Sequence, residues 1–394
     1  MRQMINRFRW LSGVLLLVLL VTTACSHSTD ESTKEVRNLT DVEDQATMQT
    51  INTEEVEKEQ GSPTFDVSKH ARYVGRMDWS DERGPVLSWA GSSITVRFEG
   101  SAIALQMKIT ERNDTWLDLI VDGGEARKIH VDGLNDGIIE VAQDLDPTVV
   151  HTLEVYKRTE AMFGTVQFLG FTLPKGGQFL SPPAHLDRKI ELIGDSISVG
   201  SGNEGKDGDP SIAEHENNNL AYGSIAAQAL NAEIHTIAIS GIGLAVNYGE
   251  ERINTMLDQY ERVNPLHSNK EWDFTQWIPD VVVINLGTND NNYSTEEAEF
   301  LEKYEGFVAR IRSRYPDAHI FLSLGPFNLM PTKERVLTVF GKLHQEGDNK
   351  VHYLMYEPAN TARDGLGETG HPNTITHKHM SDDLIRQIKE QTGW

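Results

Sequence analysis

Residues 189–202 read KIELIGDSISVGSG, and within them an apolar run, Ile190 to Ile193, stops at Gly194-Asp195-Ser196. The run has the texture of a short buried parallel strand. A serine on the turn that follows would stand where open α/β sheets bind ligands. Gly194 permits a tight backbone, and Asp195 or Ser196 could cap a following helix. Free backbone N–H groups at such a turn favour an anion. Gly-Asp-Ser alone is also a common turn, so its meaning depends on the rest of the chain. Other apolar runs end similarly. Ile234–Ile239 ends at Ser240-Gly241-Ile242-Gly243, and Val281–Leu286 ends at Gly287-Thr288-Asn289-Asp290. The run Val351–Tyr356 leads through a Gly-rich loop to His371-Pro372-Asn373. A serine, a histidine, an amide side chain and Gly-rich turns supply a nucleophile, a base and oxyanion donors. Those are the needs of acyl transfer.

For these residues to meet, the segments carrying them must lie side by side. After residue 188 the apolar runs alternate with helical segments. Helices are expected near Leu220–Leu230, Leu244–Tyr260, Thr295–Arg314, Thr332–Leu343 and Thr374–Gln391, and Ser294 with Glu297 forms a capping box. The alternation predicts a three-layer α/β/α domain over residues 188–394 with a parallel sheet, whose carboxyl strand ends share one edge. Ser196, Gly241, Asn289 and His371 then converge.

Residues 63–174 have a different pattern. Ser93–Glu99, SITVRFE, alternates apolar and polar residues. Similar short runs recur at Ala102–Ile109, Trp116–Val121, Ala126–Val131, Gly137–Val141, Leu153–Tyr156 and Val166–Leu173. The segment Arg72–Trp89 forms the opening strands. This punctuation predicts an N-terminal β-sandwich. Trp79, Trp89 and Trp116 are read as core or interface packing rather than a sugar platform. Residues 175–187, with Gly176-Gly177 and Pro182-Pro183, read as a linker.

The chain has 394 residues, a net charge of −23 and a pI near 5.0, which argues against nucleic acid as a partner. Its single cysteine, Cys25, rules out a disulfide or a Cys-based zinc site in the rest of the chain. Neither the His377-Lys378-His379 segment nor the Gly200–Gly208 stretch fits a metal or phosphate site. Histidines two apart do not share a helix face, and Asp207 stands where a P-loop needs Ser or Thr. No metal or cofactor is expected. At the N-terminus Arg2, Arg7 and Arg9 precede an apolar stretch, Leu11–Val21, and then Thr22-Thr23-Ala24-Cys25. This is a signal-peptide layout, and the stretch is shorter than the ~20 residues of a membrane span. Residues 26–62 are acidic, poor in aromatics and read as a disordered tether.

The four blocks in order resemble the SGNH, or GDSL, hydrolase superfamily: Gly194-Asp195-Ser196, Gly241, Gly287-Thr288-Asn289-Asp290 and His371. The stretches Gly75-Arg76-Met77-Asp78-Trp79-Ser80, Trp89-Ala90-Gly91-Ser92-Ser93-Ile94 and Trp272-Asp273-Phe274 resemble carbohydrate esterase family 2, in which a jelly-roll domain precedes the hydrolase. The resemblance implies removal of O-acetyl groups from plant polysaccharides or oligosaccharides of the xylan or glucomannan type. It assigns Ser196 as nucleophile and His371 as base. The N–H groups of Ser196 and Gly241 and the Asn289 amide are its oxyanion donors. The superfamily usually places an Asp three residues before the His; here that residue is Glu368, with Asp364 or a backbone carbonyl as alternatives. Trp272 and Tyr222, near these blocks in sequence, are candidates for stacking on a sugar ring, with core packing as the alternative. Cys25 resembles the lipobox cysteine of bacterial lipoproteins, with residues 1–25 as the signal peptide. That implies a lipid-anchored protein of the cell envelope, facing outside the cytoplasm, or a secreted one if Cys25 is unmodified. A lipid esterase or thioesterase on the same scaffold, and an inactive carbohydrate-binding surface lipoprotein, are the competing readings.

Overall fold

The computed structural model describes residues 64–133, 137–293 and 295–394. Cys25, expected to be lipidated, the 26–62 segment read as a tether, and Ser294 of the expected capping box lie outside the described residues. Among the described residues no helix is long and apolar enough to cross a membrane.

The N-terminal half is built of eleven short strands: β1 (Ala71–Val74), β2 (Met77–Asp78), β3 (Val86–Leu87), β4 (Ser93–Glu99), β5 (Ile103–Glu111), β6 (Thr115–Val121), β7 (Arg127–Val131), β8 (Gly137–Ala142), β9 (His151–Lys157), β10 (Thr165–Thr172) and β11 (Gln178–Phe179). One antiparallel sheet runs β1-β4-β9-β6-β7, with β11 added to β4, and the other runs β2-β3-β10-β5-β8. Alternate residues face inward, as strand geometry requires. Ile94, Val96 and Phe98 of β4 and Leu153 and Val155 of β9 share the core with Leu105, Met107, Val166 and Phe168. A register shift between Phe168 and Gly170 moves the inward set of β10 by one residue, so Phe171 and Leu173 also point into the core. The stretch read as a linker is part of this sandwich at Gln178–Phe179, which pair with Phe98 and Glu99.

The C-terminal half carries a parallel sheet in the order β13-β12-β14-β15-β16, from β12 (Arg188–Gly194), β13 (Ala232–Ala238), β14 (Val281–Asn285), β15 (His319–Leu324) and β16 (Val351–Met355). Its helices are α1 (Ser196–Val199), α2 (Tyr222–Ala229), α3 (Met256–Gln259), α4 (Thr288–Asn292), α5 (Glu297–Arg314), α6 (Met330–Gln345), α7 (Thr361–Asp364) and α8 (Thr374–Thr392). Both faces are covered. Val282 and Ile284 of β14 pack with Phe300, Tyr304 and Phe307 of α5. Val281 and Val283 pack on the other face with Tyr222 of α2 and Leu384 and Ile388 of α8.

The helix expected at Leu244–Tyr260 is a correction: only Met256–Gln259 is helical there. The Asp290 carboxylate accepts the N–H groups of Leu244, Ala245 and Val246 at 2.9, 2.6 and 3.0 Å. Farther on, Gly249, Glu250 and Asn254 all have positive φ, which breaks any continuous turn.

The two halves share a polar seam. Arg76 of the sandwich and Glu191 of β12 form an ion pair at 2.9 Å, both side chains fully buried. Arg76 also donates to the Tyr260 carbonyl and lies against the rings of Tyr260, Phe274 and Trp272. Trp89 donates its indole N–H to the Val263 carbonyl at 2.8 Å and joins the core of the hydrolase half. Trp79 is 45% exposed and packs at the surface of the sandwich, edge-on to Tyr73 at 4.8 Å.

Candidate active site

Strand register determines where the four blocks end. Gly194 is opposite Ala238 on one side and Asn285 on the other. Ser196, Gly241 and Asn289 therefore follow three adjacent strand ends by two, three and four residues. Gly194 makes the turn possible: a Cβ there would sit 2.0 Å from Ser198 Oγ. Asp195 caps the single-turn α1 by accepting the Ile197 N–H at 3.0 Å. Ser196 is the first residue of that helix, where an amide has no partner four residues back and is free for an anion. Burial, with the nearby charge of Asp290 adding to it, pushes the Asp195 carboxyl up to about 7.

The Asn289 side chain donates to the Ile242 carbonyl at 2.8 Å. One amide hydrogen thus ties it to the loop that carries Gly241, and the second remains for a ligand. Asp290 holds the same loop through the three N–H groups described above. Gly241 is further fixed by the Tyr248 N–H, which donates to its carbonyl at 2.7 Å.

His371 closes the arrangement. Its Nε2 lies 3.0 Å from Ser196 Oγ, within the reach required of a base and its nucleophile. For Nε2 to accept that proton the other must be on Nδ1, which faces the main-chain oxygen of Glu368 at 3.1 Å and Thr369 Oγ1 at 3.0 Å. Thr369 is held in the left-handed region at φ 50° and ψ 29° to bring this about. Burial lowers the His371 pKa below its ordinary 6.5, against the opposing pull of the Glu368 carbonyl and carboxylate. The imidazole is therefore neutral at neutral pH, the state a base needs.

The Glu368 carboxylate does not contact His371, which corrects the expectation that it orients the imidazole. It bonds His215 Nδ1 at 2.7 Å and accepts the Ile212 N–H at 3.3 Å. Gly202, at φ +61°, lies so close that a Cβ would approach the Glu368 Cβ to 2.5 Å. The Gly-rich stretch after Ser196 thus makes room for this contact. Asp364 pairs with Arg363 at 2.6 Å instead.

Two further expectations are corrected. Tyr222 is fully buried, with its hydroxyl 3.0 Å from Ser198 Oγ and its N–H donated to His377. Trp272 packs in the domain seam near Arg76 and His235. The Tyr222 ring is closed to a ligand, and the Trp272 ring is partly buried against the hydrolase core. The aromatic beside the Gly241 loop is Tyr248, 70% exposed, with Tyr293 against it edge-on at 6.0 Å. Its place two residues past the amides that Asp290 holds was not deducible from spacing. Among the described residues no group of three or more His, Cys, Asp or Glu is arranged to hold a metal ion.

Residues 73–183 match the carbohydrate esterase 2 N-terminal family, and residues 190–384 match the GDSL-like lipase/acylhydrolase family. A solved structure of a family two carbohydrate esterase from Clostridium thermocellum, in complex with cellohexaose, superposes with a TM-score of 0.78 at 37% identity, over 82% of this chain and 99% of that one. The chain belongs to carbohydrate esterase family 2. This family 2 chain is also 38% identical over 328 residues to the cellulase/esterase CelE of Acetivibrio thermocellus, which covers 82% of the chain. It spans only 39% of the length of that relative. An acetylxylan esterase / glucomannan deacetylase of Cellvibrio japonicus is 24% identical over 329 residues, covering 82% of the family 2 chain and 90% of the relative.

Proposed function

We propose that the chain is a serine esterase that removes O-acetyl groups from polysaccharides or oligosaccharides through an acetyl-serine intermediate. The observation that carries this reading is the 3.0 Å contact between Ser196 Oγ and a neutral His371 Nε2, in a chain of carbohydrate esterase family 2. The names of the relatives, and the cellohexaose in one of them, support a carbohydrate substrate of the acetylxylan or glucomannan type.

In the first step Ser196 Oγ bonds to the ester carbonyl carbon while its proton passes to His371 Nε2. The carbonyl electron pair moves onto oxygen, where the N–H groups of Ser196 and Gly241 and the Asn289 amide receive it. The main-chain oxygen of Glu368 holds the Nδ1 proton and stabilises the imidazolium. The carbon–oxygen bond to the sugar then breaks, and Nε2 returns its proton to the departing sugar oxygen. Water attacks the acetyl-serine next, giving a proton to Nε2. Collapse releases acetate and restores the Ser196 hydroxyl.

Acetate release from acetylated xylan and glucomannan, compared between wild type and Ser196→Ala, tests this reading. Release by the wild type and its loss in the variant are expected. Hydrolysis confined to long-chain acyl esters would move the assignment to a lipid esterase, and no hydrolysis at all would leave a binding protein. The N-terminal sequence supports attachment to the cell envelope through an acylated Cys25. Incorporation of labelled fatty acid, abolished by Cys25→Ala, is the corresponding test.

A further inference from the structure

At the end of β9 the sandwich turns a short segment of chain against the hydrolase half. Tyr156 is near the end of that strand, and Arg158 and Glu160 follow in the bend just beyond it. All three reach the other domain. The Tyr156 hydroxyl donates to Asn218 Oδ1 at 2.8 Å, and Arg158 pairs with Glu204. The Arg158 carbonyl accepts the Asn218 N–H at 3.1 Å.

Glu160 reaches furthest. Its side chain is 2% exposed, and its Oε2 accepts the Ser240 N–H at 2.9 Å. Its own N–H donates to Glu216 Oε1 at 2.5 Å, which fixes its backbone against the hydrolase. A buried carboxyl needs such a partner to offset its desolvation, so this contact is specified rather than incidental. Ser240 immediately precedes Gly241. The peptide plane that carries the Gly241 N–H begins at Ser240 Cα, the atom it shares with the peptide unit that Glu160 holds. Its orientation therefore depends on how Ser240 is held. On the far side the Tyr248 N–H grips the Gly241 carbonyl at 2.7 Å. The peptide units on either side of the one that carries the Gly241 N–H are thus both held, and one of those two restraints comes from the other domain.

We infer that Glu160 is a positioning residue for the oxyanion hole: through the Ser240 N–H the sandwich aims the Gly241 amide at the developing charge. This rests on the reading of Gly241 as an oxyanion donor in an acetyl esterase. The sandwich is then part of the machinery of turnover and not only a neighbour of it.

The test is steady-state kinetics of the full chain on an aryl acetate and on acetylated xylan, with circular dichroism to establish folding. Glu160→Ala is expected to lower kcat by about 10–100-fold and to change KM by less than about threefold, as loss of aim at one donor should. Glu160→Gln, which keeps an oxygen to accept the Ser240 N–H, is expected to restore kcat to within about fivefold of wild type. A merely structural residue would lower the melting temperature without that split or that rescue. If Glu160→Ala does not fold, Glu160→Asp, which retracts the acceptor by one methylene, must show the same fall in kcat. A folded Glu160→Ala or Glu160→Asp enzyme with kcat within about twofold of an active wild type would overturn the inference while leaving the esterase reading intact. Equal losses in the Ala and Gln variants would overturn it as well. A wild type without acetate release would instead remove the esterase reading on which it depends.

Discussion

Glu368 turns its carboxylate away from His371 and meets the imidazole with its main-chain oxygen, 3.1 Å from Nδ1. The acidic side chain is occupied by His215, so the group that orients the base carries no titratable proton. In a Ser-His-Asp site, replacing the Asp by Asn costs ~10⁴ in kcat because the wrong tautomer is held. Glu368→Gln in this chain should keep turnover of an aryl acetate within about tenfold of wild type, and a loss of ~10³ or more would show that the carboxylate serves His371 after all.

The pH dependence has a definite sign. His371 must be neutral to accept the Ser196 proton, and its pKa lies below 6.5 because of burial. The kcat/KM of the wild type should stay level through neutral pH and fall only as pH drops through a value below 6.5. The Glu368 charge raises that pKa, so removing it in Glu368→Gln should move the acid limb lower still. Paired pH–rate profiles check both statements, and a limb that moved upward would contradict the assignment.

Asn289 donates one amide hydrogen to the Ile242 carbonyl and leaves one for substrate. Asn289→Ala is expected to lower kcat by ~10²–10³ with KM little changed. The lost hydrogen bond should lower stability by only about 1 kcal/mol. Kinetics read alongside a thermal melt would show whether the damage is chemical or structural.

The Arg76–Glu191 pair is fully buried between the domains. Arg76→Met leaves the Glu191 charge without its cation and should cost about 3–5 kcal/mol in urea unfolding. Replacing both partners, as Arg76→Met with Glu191→Leu, should recover much of that loss. A double variant less stable than the single one would mean that the Tyr260 hydroxyl, 2.7 Å from Glu191, is the dominant partner.

Tyr248 stands exposed next to the Gly241 loop. Tyr248→Ala should raise KM for the polysaccharide about two- to tenfold, matching the ~0.5–1.5 kcal/mol of an aromatic contact. The KM for a small aryl acetate should not move. Equal effects on both substrates would place the ring in the loop's structure rather than against the sugar.

The strands and the four chemical blocks were legible because each depends on local pattern. SITVRFE alternates polar and apolar residues as a strand with one apolar face does, and Ser196, Gly241 and Asn289 each follow a buried run. Features made by distant partners were not legible. The apolar residues after Gly243 suggest a helix, and nothing in that run shows that Asp290, more than forty positions away, holds their amides or that Gly249, Glu250 and Asn254 take positive φ. Nearness to a motif in sequence suggested Tyr222 and Trp272 as sugar contacts, but it says nothing of which way a ring faces. Both turn inward. Glu160 and Arg76 gain their meaning from residues 80 and 115 positions away, and nothing local marks them.

Trp89 belongs by sequence to the sandwich, yet its indole plugs the interior of the hydrolase, 2% exposed beside Tyr260 and Phe274. A gene trimmed to begin at residue 188 would therefore encode a catalytic half with a hole the size of that ring, and large-to-small truncations of this kind cost ~3–5 kcal/mol. The sandwich cannot be shuffled away or exchanged for another appended module unless the replacement brings its own stopper. The two halves are bound to travel through descent, and through any engineering scheme, as one inseparable unit.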